Sequence, residues 1–212
     1  MFYDTRFFPF VETLEKNWRP IRRELDELTQ TDFQTYRNFQ PWKVFIFRKG
    51  FDPQKLECNP ENSARCPETT AILDSIPGVT SAAFSRLLPG THLWPHRCGN
   101  TRIRCHLGLI IVDGCAINVG GMVQGWQEGK CLIFNARYLH EAWNRNTLPR
   151  TVLLVDVSPE VLGFAPEDYA LPKSTGEIVS SAWLKTRYVT RKNWDRIREA
   201  AGMGASSTSA HD

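Results

Sequence analysis

Apolar residues recur at Val11, Leu14, Trp18, Ile21, Leu25 and Leu28, the spacing of one helix face. The pattern predicts a helix over 9–28, kinked or broken near Arg19 because Pro20 removes an intrahelical donor. A strand follows at 42–48, then a polar loop through Asn59–Arg65. A short helix is expected from Pro67, ending at the turn Ile76-Pro77-Gly78. From Val79 the period changes. Runs of β character at 80–88, 92–97, 102–112, 115–120, 131–135, 138–144 and 151–157 are punctuated by Pro89-Gly90, Asp113-Gly114, Gly120-Gly121 and Glu128-Gly129. Such punctuation predicts a mainly β fold with flanking helices, a sandwich or jelly roll. After Pro159 the chain reads as loop and then as a basic amphipathic segment from Trp183 to Ile197.

The expected organisation is one domain over 1–202. Residues 1–78 give helical and strand support, 79–160 the β core and 161–202 a C-terminal segment. The small, polar tail 203–212 is expected to be disordered. At 212 residues the chain is long enough to bury well over half of its unfolded surface. A hydrophobic content of 42% with 23% charged residues is ordinary globular composition and excludes wholesale disorder. The net charge of +3 is spread along the chain without a basic block, which argues against nucleic-acid binding. No apolar run approaches the roughly 18–20 residues of a membrane span. The N-terminus lacks the sectors of a signal peptide, so a cytoplasmic location without membrane contact is expected. The six cysteines form no CxxC pair, and free thiols are expected; Cys58 and Cys66 are the one pair that an oxidising compartment would staple.

The candidate chemistry is concentrated between His92 and Asp156. Four of the five histidines lie there: His92, His96, His106 and His140. Imidazoles on neighbouring strands of a small barrel can build an open mononuclear metal site, because strands fix side-chain direction. Arg150 follows ten residues after His140, at the head of the run Thr-Val-Leu-Leu-Val-Asp. Two imidazoles for a metal and a guanidinium for a dicarboxylate are what an iron- and 2-oxoglutarate-dependent oxygenase needs. Alone, His96 or His140 would read as a packed or surface histidine; together, with Arg150 behind them, they read as a metal site. His92, just after Pro-Gly, reads as a structural or rim residue, and His106 as either a pocket residue or a donor to a backbone carbonyl. Arg102 and Arg104 alternate with His106 and share its face. Trp126 and Trp143 read as core or rim packing.

The ordered segments PGTHLWPH, RIRCHLGLII, GCAINVGG, EGKCLIF, YLHEAWN and PRTVLLVDV resemble the aspartyl/asparaginyl β-hydroxylase family. The likeness is specific over residues 80–160 and extends more weakly to the N-terminal helix and RCPETTAIL. It implies a double-stranded β-helix fold, cupin-like, that uses Fe(II), O2 and 2-oxoglutarate to hydroxylate unactivated carbons. It also implies His96 and His140 as the iron ligands, with no catalytic side chain beyond them. Arg150 would grip the distal carboxylate of 2-oxoglutarate, and Ser85, His106 and Arg104 would be further co-substrate contacts. Arg102 would line the substrate side.

Two positions depart from expectation. His96-Arg97-Cys98 puts cysteine where the usual iron triad has a carboxylate, an absence the family shares. Asn135-Ala136 stands where the family has two acidic residues, and loss of such outer partners commonly costs about 10–100-fold in affinity or activity. The implied reaction is hydroxylation of a small carboxylate-bearing molecule or an Asp/Asn-type side chain, with release of succinate and CO2. The partner is then a small molecule or peptide. The missing membrane segment counts against a lipid substrate. Two alternatives stay open: a halogenase or cyclase using the vacant metal position, and a non-catalytic jelly-roll binding module.

Overall fold

The computed structural model describes residues 2–36, 39–50, 52, 54–98 and 102–163. The expected amphipathic segment 183–197 and the tail 203–212 lie outside them. The strands are β1 (Phe2–Tyr3), β2 (Gln34–Tyr36), β3 (Phe39–Lys49), β4 (Glu57–Cys58), β5 (Val79–Leu87), β6 (His92–His96), β7 (Ile103–Ile110), β8 (Cys115–Val119), β9 (Met122–Gln124), β10 (Cys131–Asn135), β11 (His140–Asn144) and β12 (Arg150–Val157). The helices are α1 (Phe10–Lys16), α2 (Trp18–Asp26), α3 (Pro60–Arg65) and α4 (Pro67–Asp74).

The strands form two antiparallel sheets. The larger runs β1-β10-β7-β12-β5-β3-β2, with β4 on the edge of β3, and the smaller runs β6-β11-β8-β9. The fold is the double-stranded β-helix, or jelly roll. Alternation along the strands divides the interior in two. Ile103, Cys105, Leu107 and Leu109 of β7 join Leu153, Val155, Phe84 and Phe47 in one cluster with Leu14, Ile21 and Leu25 of the helices. The other face packs between the sheets, where Val152, Leu87 and Phe134 meet Val119, Ile117 and Ala142.

The N-terminal helix breaks at Asn17, not near Arg19, and Pro20 sits inside the first turn of α2. A proline there removes a donor that has no intrahelical partner in any case. The polar loop expected at Asn59–Arg65 is instead α3: the Asn59 side chain accepts from the Asn62 amide at 3.0 Å and Pro60 takes the first helical position. Helix α4 has no side-chain cap of its own. Buried Glu24 of α2 supplies one, accepting from the amides of Glu68 (2.7 Å) and Thr69 (2.8 Å) and from the Thr69 hydroxyl (2.6 Å). A carboxylate at that positive helix end ties the helical layer together. All six cysteines are free thiols; Cys58 is exposed and Cys66 fully buried.

Candidate functional site

His96 and His140 lie directly opposite one another in the β6–β11 pairing, with ring centroids 4.2 Å apart. Strict alternation would put His96 on the same face as His92 and Trp94. The register shifts between the His140–His96 and Ala142–Leu93 pairs, and this bulge turns both Leu93 and His96 inward. Pro95 lies in the shifted stretch of an edge strand, where a missing N–H costs the ladder little.

Both rings are held alike. Nδ1 of His96 lies 2.8 Å from the Trp94 carbonyl oxygen, and Nδ1 of His140 lies 2.8 Å from that of Tyr138. A carbonyl only accepts, so each Nδ1 carries a proton and each Nε2 is turned away from the backbone contact. Burial, reinforced by His96, holds the His140 pKa well below the ordinary value, so the ring is neutral. Its buried Nε2 has no partner among the described residues. Two inward imidazoles, each oriented through its Nδ1, are a donor set for a divalent first-row metal. Among the described residues no group of three or more His, Cys, Asp or Glu side chains gathers to hold a metal.

The inner face of the larger sheet supplies the rest. His106 lies 5.1 Å, centroid to centroid, from Phe134, which in turn lies 5.5 Å from His140. Both ring nitrogens of His106 are buried and have no partner among the described residues, where no backbone carbonyl takes the donor role considered from the sequence. Burial, with help from Arg150 and Arg104, pushes its pKa well down and leaves it neutral. Arg150 is 2% exposed and donates from Nη1 to the Ser85 carbonyl at 3.3 Å, while its Nε has no partner among the described residues. Its carbon Cζ stands 4.3 Å from the centre of the Trp126 ring. Among the described residues no carboxylate lies within 4.0 Å of it. Burial lowers its pKa to about 10, so it stays charged at neutral pH. An unanswered buried guanidinium carries a desolvation penalty that a bound anion would offset. Ser85, on the facing strand, accepts from Nε1 of Trp42 at 3.0 Å, which leaves its own O–H to donate.

Arg102 and Arg104 share the inner face with His106, but a carboxylate already answers them. Asp156 accepts from Arg102 at 2.5 Å and from Arg104 at 2.7 and 2.8 Å. Burial alone would raise the Asp156 pKa; the two guanidinium groups outweigh it and hold the carboxyl below its usual range. Arg104 also points Nη1 at Cys98 Sγ, 3.4 Å away. Asp156 and Trp126 were missed as site residues. Asp156 was legible, since 150, 152, 154 and 156 alternate onto one face of a strand. Trp126 lies on a loop, where no periodicity applies.

His92 is on the outer face of the smaller sheet. Its Nε2 meets the fully buried Glu141 at 2.8 Å, and Asn118 donates to the same carboxylate at 3.0 Å. Asn135 and Ala136 are buried in the turn before His140; the Asn135 side chain accepts from the Arg137 amide at 3.0 Å.

The family described as Aspartyl/Asparaginyl beta-hydroxylase matches residues 15–159. An ornithine lipid ester-linked acyl 2-hydroxylase from Rhizobium tropici is 41% identical over 170 residues, 73% of this chain and 59% of that one. The human aspartyl/asparaginyl beta-hydroxylase is 32% identical over 168 residues, 73% of this chain and 22% of that one. The chain thus spans about half or less of the length of such relatives. A solved oxidoreductase of the 2OG-Fe(II) oxygenase family from Burkholderia pseudomallei aligns with a TM-score of 0.49 at 13% identity, over 68% of this chain and 78% of that one.

Proposed function

Starting from the chain's membership of the aspartyl/asparaginyl β-hydroxylase family, we propose that it is an Fe(II)- and 2-oxoglutarate-dependent dioxygenase that hydroxylates an unactivated C–H bond. The observation that carries this reading is the pairing of two inward imidazoles with a buried guanidinium that no carboxylate among the described residues answers.

His96 and His140 would hold the iron through Nε2, since Nδ1 of each is committed to a backbone carbonyl. Iron with 2-oxoglutarate and O2 supplies the oxidising power for the C–H bond, and the co-substrate leaves as succinate and CO2. Arg150 would take the distal carboxylate in a charge-assisted pair, with Ser85 O–H donating beside it. His106, neutral and unpartnered, would hydrogen-bond the other end of the co-substrate. Arg104, fixed by Asp156, adds positive field close to the histidines, and Arg102 would face the substrate. The Phe134, Trp126 and Trp42 rings exclude water from the space between them.

For the substrate, the first reading is a small carboxylate-bearing molecule or an Asp/Asn-type side chain. A second reading, an acyl chain, is favoured by the relative at 41% identity and by one feature of the site. Met122, Val119, His140 and His96 form a single cross-strand row, and Met122 and its neighbour Val123 are exposed apolar residues. No helix among the described residues is long and apolar enough to cross a membrane, which does not bear on whether an acyl chain reaches the site. Anaerobic Fe(II) with 2-oxoglutarate should develop a visible charge-transfer band, and succinate release should rise with the true substrate. An Asp-containing peptide and an amino-acid-headed acyl lipid are the two probes to compare. Absence of the band would favour the binding-module alternative.

Two further outcomes are expected. Arg150→Ala should raise the KM for 2-oxoglutarate by the equivalent of about 2–5 kcal/mol, while Lys rescues only part because it lacks the bidentate fork. Iron content should not change; unaltered 2-oxoglutarate dependence would move the co-substrate to another residue, Arg104 first. With chloride in excess, the product should be hydroxylated and free of the chlorine isotope pattern. Arg104, the guanidinium beside Cys98, has its Nε and Nη2 engaged by Asp156, which leaves a halide little of its hydrogen-bonding capacity. A chlorinated product in the mass spectrum would support the halogenase alternative.

A further inference from the structure

Trp126 is 8% exposed, and its buried indole N–H has no acceptor among the described residues. A core tryptophan ordinarily finds a partner for that group, because leaving it unpaired forfeits a hydrogen bond to water. Here the same ring touches two other groups in the same condition. It lies 6.0 Å from His106 at an interplanar angle of 29°, and beneath the Arg150 guanidinium at 4.3 Å. The unpartnered atoms Nε1 of Trp126, Nε of Arg150 and both nitrogens of His106 thus belong to one contiguous set of side chains.

The loop that carries Trp126 is placed by a specific backbone contact. Gly108 of β7 bridges to Glu128, and the Gly129 amide donates to the Gly108 carbonyl at 2.9 Å. A Cβ on Gly108 would overlap the carbonyl oxygen of Gln127 and lie 2.9 Å from its carbonyl carbon. Only glycine lets the loop lie this close to the strand, and the approach brings Trp126 beside His106, two residues back along β7.

We propose that Trp126 is a co-substrate-binding and length-selecting residue. Its N–H donates to the 2-oxo dicarboxylate that Arg150 grips, and its ring closes that end of the pocket against a longer homologue. The inference rests on the reading of the site as a 2-oxoglutarate pocket. The ring contributes twice: cation–π contact holds the guanidinium in place, and the N–H adds a donor to a carboxylate. Phenylalanine would keep the first contribution and lose the second. Leucine would lose both and open space for one more methylene.

The test is equilibrium binding of 2-oxoglutarate and 2-oxoadipate by calorimetry, with Mn(II) as a redox-inert metal. Wild-type protein should prefer 2-oxoglutarate. Trp126→Phe should weaken 2-oxoglutarate about tenfold or more, the size of a lost hydrogen bond to a charged group, with Mn(II) affinity unchanged. Trp126→Leu should weaken it further and narrow or reverse the preference over 2-oxoadipate. Gly108→Ala displaces the loop without altering a pocket side chain and should reproduce the weakening. Wild-type binding that Trp126→Phe leaves unchanged for both dicarboxylates would overturn the proposal and return Trp126 to core packing. Equal loss of Mn(II) and dicarboxylate binding in Trp126→Phe would overturn it too, as general collapse. Wild-type protein that binds neither dicarboxylate would overturn the 2-oxoglutarate reading itself, and this inference with it.

Discussion

His96→Ala and His140→Ala are each expected to abolish iron binding, measured as metal retained after anaerobic loading and desalting. The two imidazoles are the donors that the fold brings to one point, 4.2 Å apart between ring centres, and no third ligating side chain joins them among the described residues. A site with two protein ligands has no affinity to spare when one is removed. His92→Ala is the matched control: its ring is on the outer face, bonded to Glu141, so metal should be retained. The control should still lose stability, because the fully buried Glu141 carboxylate keeps only its bond to Asn118. Near-normal iron in either His96→Ala or His140→Ala would remove the metal assignment.

The second large effect belongs to Asp156→Asn. Asparagine keeps the shape and loses the charge, leaving Arg102 and Arg104 buried without their carboxylate. Breaking one side of a buried ion cluster costs about 3–5 kcal/mol. Urea unfolding should show it as a lower midpoint at unchanged slope. The pH dependence has a definite sign. Since the folded carboxyl sits below its ordinary value, its contribution is complete at neutral pH and is lost as pH falls through that lowered folded value. The Asn variant should therefore show less acid destabilisation than the wild type. A midpoint shift worth under about 1 kcal/mol would mean that water reaches the cluster and screens it.

Much of this arrangement was legible from local patterning. Seven expected β segments correspond to β5–β8 and β10–β12 to within two residues at either end, because turn glycines and prolines bracket runs of β-branched and aromatic residues. The short pairs β1, β2, β4 and β9 were not, since two or three residues carry no period and pair only because a neighbouring edge is available. The helix break was read two residues late, near Arg19 and not at Asn17, because a proline is accommodated in the first turn of the helix that follows.

The site divides in the same way. Residue type gathered the candidates between His92 and Asp156, and the family resemblance singled out His96, His140 and Arg150 among them. Alternation alone put Arg102, Arg104 and His106 on one face, and it would have added Asp156. What each group meets there depended on which strands pair and in what register. The bulge in β6 turns His96 inward against its own alternation. The β7–β12 register sets Asp156 opposite Arg104, so two arginines that read as ligand-binding are answered by the protein's own carboxylate. The missing Cβ of Gly108 draws Trp126 in from a loop. Those outcomes come from contacts between residues far apart in the chain, which local composition and period do not encode.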